Sequence, residues 1–137
     1  MREILFRGKT YKGEWVQGVP FCEEERCYII EDLFICDEYD CTGAVNTMVL
    51  PETVGQYTGL TAHGKKIFEG DILKFSYTGQ NKGVEGVAVV EFANGKFGVK
   101  WGWHKEFIAL DGFANTAIEV IGNIHDNPEL IEEGEQK

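Results

Sequence analysis

The sequence predicts a mainly β protein, with a small N-terminal β lobe, an SH3-like antiparallel β-barrel after it, and a short C-terminal helix. Three observations lead there. Glycine is frequent and proline scarce, 17 against 3 in 137 residues, which favours a turn-rich chain over a helical bundle. Apolar residues recur with period two or in short β-prone runs, and no long stretch repeats with helical spacing. Asn94-Gly95 separates VEGVAVVEFA from KFGVKW, and that dipeptide supplies the positive φ angles of a two-residue type I′ hairpin.

The elements follow in order. Glu3 to Arg7 alternates, with Ile4 and Phe6 on one side, and opens the chain as a strand. Gly8 to Gly13 reads as a turn, and Gly13 to Phe21 as a second strand that Pro20 confines to an edge or to its end. Cys27–Ile30 and Leu33–Cys36 are short β-prone runs, with Glu31-Asp32 as a tight connection between them. Asp37 to Thr42 reads as acidic loop, and Val45 to Leu50 as an extended segment halted by Pro51. Tyr57 to Leu60 leads into a polar loop, Thr61 to Lys66, and Gly70-Asp71 sits at a bend. Five strands are then expected near Asp71–Tyr77, Val84–Phe92, Lys96–Trp103, Glu106–Leu110 and Ile118–Ile124, a number that suits a small closed barrel. Asn127-Pro128-Glu129 has helix-start chemistry, with Asn as cap and Pro at the first helical position. The expected organisation is residues 1–56 as the N-terminal lobe, 57–131 as the barrel-like region with its helix, and 132–137 as a frayed acidic tail.

Charge narrows the function classes. The chain holds 23 acids and 13 bases, a net of −10, which opposes generic binding to nucleic-acid phosphates. The charge is uneven. Residues 21–60 hold nine acids and only Arg26 as a base, and 111–137 hold seven acids and one base. Residues 1–20 and 61–110 each carry a net of +2. Such blocks can guide self-association between unlike faces. No apolar run is long enough to span a membrane, and Met1 to Arg7 lacks the apolar core of a secretory leader, so a cytoplasmic location is expected.

Few residues propose chemistry. Cys22, Cys27, Cys36 and Cys41 are spaced C-x4-C-x8-C-x4-C, which suggests two hairpin knuckles facing each other around a zinc ion. Knuckles usually hold two residues between the cysteines, and Cys27 and Cys36 lie in apolar runs where a free thiol acts as a small hydrophobe. Structural zinc, a disulfide formed on purification and free thiols all stay open, and the apolar setting favours free thiols. His63, His104 and His125 join no metal-binding pattern, and Ser76, the only serine, lies between Phe75 and Tyr77 in a strand. No phosphate-binding loop is present in the sequence, so no catalytic residue and no cofactor is assigned. Trp101 and Trp103 share one strand face with Phe97 and Val99. That row either fills the barrel core or, turned outward, forms an aromatic platform flanked by Lys96, Lys100 and Lys105. Glu23, Glu24 and Glu25 are the densest part of the acidic block and the other candidate interaction surface.

Three stretches together resemble one family. They are Arg2-Glu3-Ile4-Leu5-Phe6-Arg7-Gly8, then Val54 to Leu60 followed by Gly64 to Leu73 (GKKIFEGDIL), then Val120 to Leu130 (VIGNIHDNPEL). This pattern is similar to the YopX-like proteins of phages and prophages in Gram-positive bacteria. The match runs from end to end, while residues 22–46 and 76–116 carry no matched motif. The resemblance implies a mainly β fold with a barrel-like C-terminal part and assembly into homo-oligomers, and it brings no assigned reaction. The functional expectation is therefore a non-enzymatic phage or prophage accessory protein, a homo-oligomeric binding module with an unidentified host or phage partner. The alternative is an acidic inhibitor that presents carboxylates to a host protein in place of nucleic-acid phosphates.

Overall fold

A computed structural model describes residues 4–36, 41–77, 85–101, 106–110 and 116–131. The chain divides into two compact units, Met1–Tyr57 and Thr58–Lys137, and both are built from antiparallel strands.

In the N-terminal unit, β1 (Phe6–Lys9), β2 (Trp15–Glu23), β3 (Arg26–Cys36) and β4 (Cys41–Val49) pair in sequence order. The turn between β1 and β2 is organised by Thr10. Its Oγ1 accepts the N–H groups of Lys12 and Glu14 at 3.3 and 3.1 Å, and its own N–H donates to the Glu14 carbonyl at 2.8 Å. Thr10 also bridges to Val49, and the Leu50 N–H donates to the Lys9 carbonyl at 2.8 Å, so the end of β4 returns to β1. The sheet thereby rolls around a small core of Cys27, Ile29 and Val49, with Phe6, Val16 and Val54 packed on it. A 3₁₀ turn, Pro51–Thr53, follows β4, and Thr53 ties it back to β1.

Two expectations are corrected in this unit. Glu31-Asp32 is no connection, because β3 runs unbroken from Arg26 to Cys36 and absorbs the polar pair at an irregularity between Ile30 and Asp32. An extra residue in one strand costs less than a second reversal when pairing to β4 continues on both sides. The β2–β3 reversal lies at Glu24-Glu25, with Glu24 at φ 47°. Cys41 and Thr42, at the end of the expected loop, likewise belong to β4.

β5 (Gly55–Ala62) crosses the boundary between the units. Gly55 and Gln56 pair with Arg7 and Phe6, and its later residues form a hairpin with β6 (Lys65–Phe68). His63 and Gly64 turn this hairpin at φ 52° and 79°, so the expected polar loop over 61–66 is two strand ends around a tight turn.

The C-terminal unit adds β7 (Asp71–Tyr77), β8 (Glu85–Ala93), β9 (Lys96–Trp101), β10 (Glu106–Ala109) and β11 (Thr116–Asn123) in the order β10-β9-β8-β7-β11. Asn94 and Gly95 turn β8 into β9 at φ 53° and 76°. The core is formed by Ala62, Ile67, Leu73, Phe75, Ala88, Val90, Val99 and Leu110, with Phe97, Ile118 and Val120 against it. Cross-strand register explains the assembly: Leu73 opposes Ala88 and Val120, and Val90 opposes Val99. Among the described residues no pairing joins β10 to β11, so the sheet is open where a closed barrel was expected. Residues 129–131 are helical.

Candidate functional site

The motif residues build the fold. The Asp71 carboxylate, buried at the start of β7, accepts the Phe68 N–H at 2.7 Å across the Glu69-Gly70 turn. Opposite it in register stands buried Asn123, whose Oδ1 accepts the N–H groups of His125 and Asp126 at 3.0 and 2.9 Å. Its Nδ2 donates to Asp126 at 3.1 Å, and Asn127 Oδ1 accepts the Asn123 N–H at 3.3 Å. Ile124 then donates to the Gly70 carbonyl at 3.0 Å, which locks the end of β11 to the turn before β7. The side chains of Asp71, Asn123 and Asn127 are thus engaged in holding backbone. His63 is exposed at its turn, and His104 lies outside the described residues.

The cysteines do not converge. Cys22 and Cys27 oppose each other across β2 and β3, with Cα atoms 4.1 Å apart, and are joined as a disulfide. The expectation that free thiols prevail is corrected for this pair, because the hairpin register places the two residues directly opposite. Cys36 opposes Cys41 across β3 and β4. Cys27 and Cys36 are nine steps apart on one strand, roughly 30 Å at ~3.3 Å per residue. Facing knuckles required a reversal at Glu31-Asp32, and without it a four-thiolate zinc site does not assemble. Among the described residues no three His, Cys, Asp or Glu side chains gather as a metal site.

Of the tryptophan row, Val99 is fully buried and Phe97 packs on the core, meeting Phe92 edge-on at 5.0 Å between centroids. Trp101 ends β9, and its side chain and all of Trp103 lie outside the described residues. Glu23, Glu24 and Glu25 are exposed at the tip of the β2–β3 hairpin beside exposed Arg26.

One surface escaped the sequence. In register, Val19 opposes Ile30, Phe21 opposes Tyr28, and Tyr28 opposes Met48, all on the sheet face away from Cys27, Ile29 and Val49. Val19, Phe21 and Met48 are 56, 51 and 39% exposed. Phe21, Tyr28, Ile30 and Asn46 line a cleft of about 310 Å³ on this face. An antiparallel sheet ordinarily solvates one face with polar residues, and this one is apolar on both. The available signal was the unbroken run Cys27-Tyr28-Ile29-Ile30, which makes both faces of β3 apolar over those four residues.

Fold and surface together define a two-unit antiparallel β protein with an exposed apolar face on its β2–β3–β4 sheet. The chain belongs to the YopX protein family, whose model matches residues 5–132. It is similar in structure to protein EF1440 from Enterococcus faecalis, with a TM-score of 0.64 and 25% identity over 96% of this chain and 99% of that one. It also shares its fold with protein yopX from Bacillus subtilis, with a TM-score of 0.56 and 20% identity over 95% of this chain and 98% of that one. No curated protein matches the sequence. Among the described residues no helix is long and apolar enough to cross a membrane.

Proposed function

We propose that this protein is a non-enzymatic binding module that assembles with copies of itself, acting in the cytoplasm of a bacterium that carries the corresponding phage or prophage. The observation that carries this reading is the second apolar face of the β2–β3–β4 sheet. Each large side chain buried there by a neighbour contributes roughly 1.5–3 kcal/mol, and Val19 and Phe21 are more than half exposed, with Met48 less so. The separation of an acidic block from segments of net +2 favours contact between unlike faces of two copies. In the C-terminal unit, four strands form a meander and the fifth returns to pair with the first. That order supports an SH3-like reading of the unit.

The test is sedimentation velocity over a wide concentration range. The wild-type protein is expected to assemble, and Val19→Ser/Phe21→Ser is expected to remain dissociated with an unchanged far-UV spectrum. A wild-type monomer at high concentration overturns the reading. The exposed Glu23-Glu24-Glu25 tip favours a second role, capture of a basic surface on a host nucleic-acid-binding protein. Reversal of the three to lysine should abolish that capture from host extract.

A further inference from the structure

The Cys22–Cys27 bond spans a hairpin whose two sulfurs stand in different surroundings. The reversal consists of Glu24 and Glu25, the pair Glu23–Arg26 closes it, and the cystine is the next pair inward. Cys22 lies exposed on β2, whereas Cys27 is 7% exposed and packs in the core with Ile29 and Val49. A thiolate attacks a disulfide along the axis of the S–S bond, from behind the sulfur that it reaches, so access decides which sulfur is attacked. Of the two residues, Cys22 is the one exposed to solvent. The exposed groups around it are Glu23, Glu24, Glu25 and Arg26, a formal local charge of −2 at neutral pH. An incoming cation is drawn to such a surface and an incoming anion is repelled by it.

We propose that Cys22 is a thiol–disulfide exchange site for small cationic thiols, with buried Cys27 as the leaving sulfur and the glutamate turn as an electrostatic filter. The thiolate of a cationic aminothiol bonds to Cys22 Sγ, and the Cys22–Cys27 bond breaks. Its electron pair leaves on Cys27 Sγ, which takes a proton from water. A second aminothiol attacks the small-molecule sulfur of the mixed disulfide, freeing Cys22 and releasing the symmetric disulfide. Two thiols are oxidised and one cystine is reduced. This site is separate from the apolar face and does not depend on self-assembly.

The experiment uses the air-oxidised full chain and two probes, cysteamine with one positive charge and glutathione with a net negative one. Acid quench, alkylation and trypsin follow. Trypsin cuts after Lys12 and Arg26 and leaves Cys22 as the only cysteine of residues 13–26, so its release is read without interference from the other three. The ratio of cysteamine to glutathione rate constants is expected to fall about tenfold in Glu24→Gln/Glu25→Gln at low ionic strength, and the difference to shrink in high salt. Comparison of ratios removes the intrinsic reactivity of each thiol. In Cys22→Ser, native Cys27 should resist cystamine and react only after unfolding in urea. An unchanged ratio in the glutamine variant overturns the filter. Labelling of native Cys27 at the unfolded rate, or a Cys22 that is free in the oxidised protein, overturns the site.

Discussion

Thr53 offers a direct test of how the N-terminal roll is closed. It is 4% exposed, and its hydroxyl joins two segments. Oγ1 accepts the Lys9 N–H at 2.8 Å and donates to the Leu50 carbonyl at 2.6 Å, so one atom links the end of β1 to the 3₁₀ turn. Thr53→Val keeps the branched shape and removes both bonds. Each is worth about 1 kcal/mol net, and a buried group deprived of its partner costs about 1–3 kcal/mol. Burial of the added methyl returns about 0.8 kcal/mol. The expected loss is therefore about 2 kcal/mol, felt in the N-terminal unit. Urea unfolding followed by Trp15 emission in a Trp101→Phe/Trp103→Phe background reports on that unit, since Arg7 stacks over the Trp15 ring at 4.6 Å from its centroid. With a slope of about 1.5 kcal/mol/M, the midpoint should fall by about 1.3 M. Thr53→Ser keeps the hydroxyl and should retain most of the stability. A loss below about 0.5 kcal/mol in the valine variant, or an equal loss in the serine variant, would refute the assignment of these bonds.

Two further outcomes follow from the same geometry. Gly98 lies buried on β9, where an added Cβ would overlap the Ile108 carbonyl and come within 2.7 Å of Phe107 Cζ. Gly98→Ala should destabilise the C-terminal unit by about 1–3 kcal/mol, with faster amide exchange along β9 and β10 and none of this effect at β2. Reduction of the Cys22–Cys27 bond should lower the stability of the N-terminal unit by roughly 2 kcal/mol, because the bond closes only a short loop. Thermal melts with and without dithiothreitol check this, and Cys22→Ser should be nearly insensitive to the reductant.

Local chemistry made much of this fold readable. Asn94-Gly95 carries its own backbone preference, so the β8–β9 hairpin followed from two residues. Gly70-Asp71 and Asn127-Pro128 likewise act within a few residues of themselves, and both lie at chain reversals or the helix start. Glu31-Asp32 misled because two acids between apolar runs carry the composition of a turn, yet partners on β4 hold both sides extended. His63-Gly64 reads as part of a polar loop because Thr61 to Lys66 is mostly polar, and its tight turn becomes evident only in the pairing of β5 with β6. The candidate sites divide in the same way. The exposure of Glu23-Glu24-Glu25 was legible as charge, whereas the fate of the cysteines depended on which strand pairs with which.

By itself the sequence determined a β-rich chain, its turn positions at Asn94-Gly95 and Gly70-Asp71, its family, and the acidic block that surrounds the cysteines. These properties reside in single residues, dipeptides or composition, and they need no knowledge of distant partners. Only the tertiary structure decided that Cys27 and Cys36 stand at opposite ends of one strand, and that Cys22 bonds to Cys27. It alone aligned Val19, Phe21, Tyr28, Ile30 and Met48 on one apolar face. The reason is register: a strand alternates its residues between two faces, and which residues share a face across three strands is set by pairing, which a linear sequence does not state.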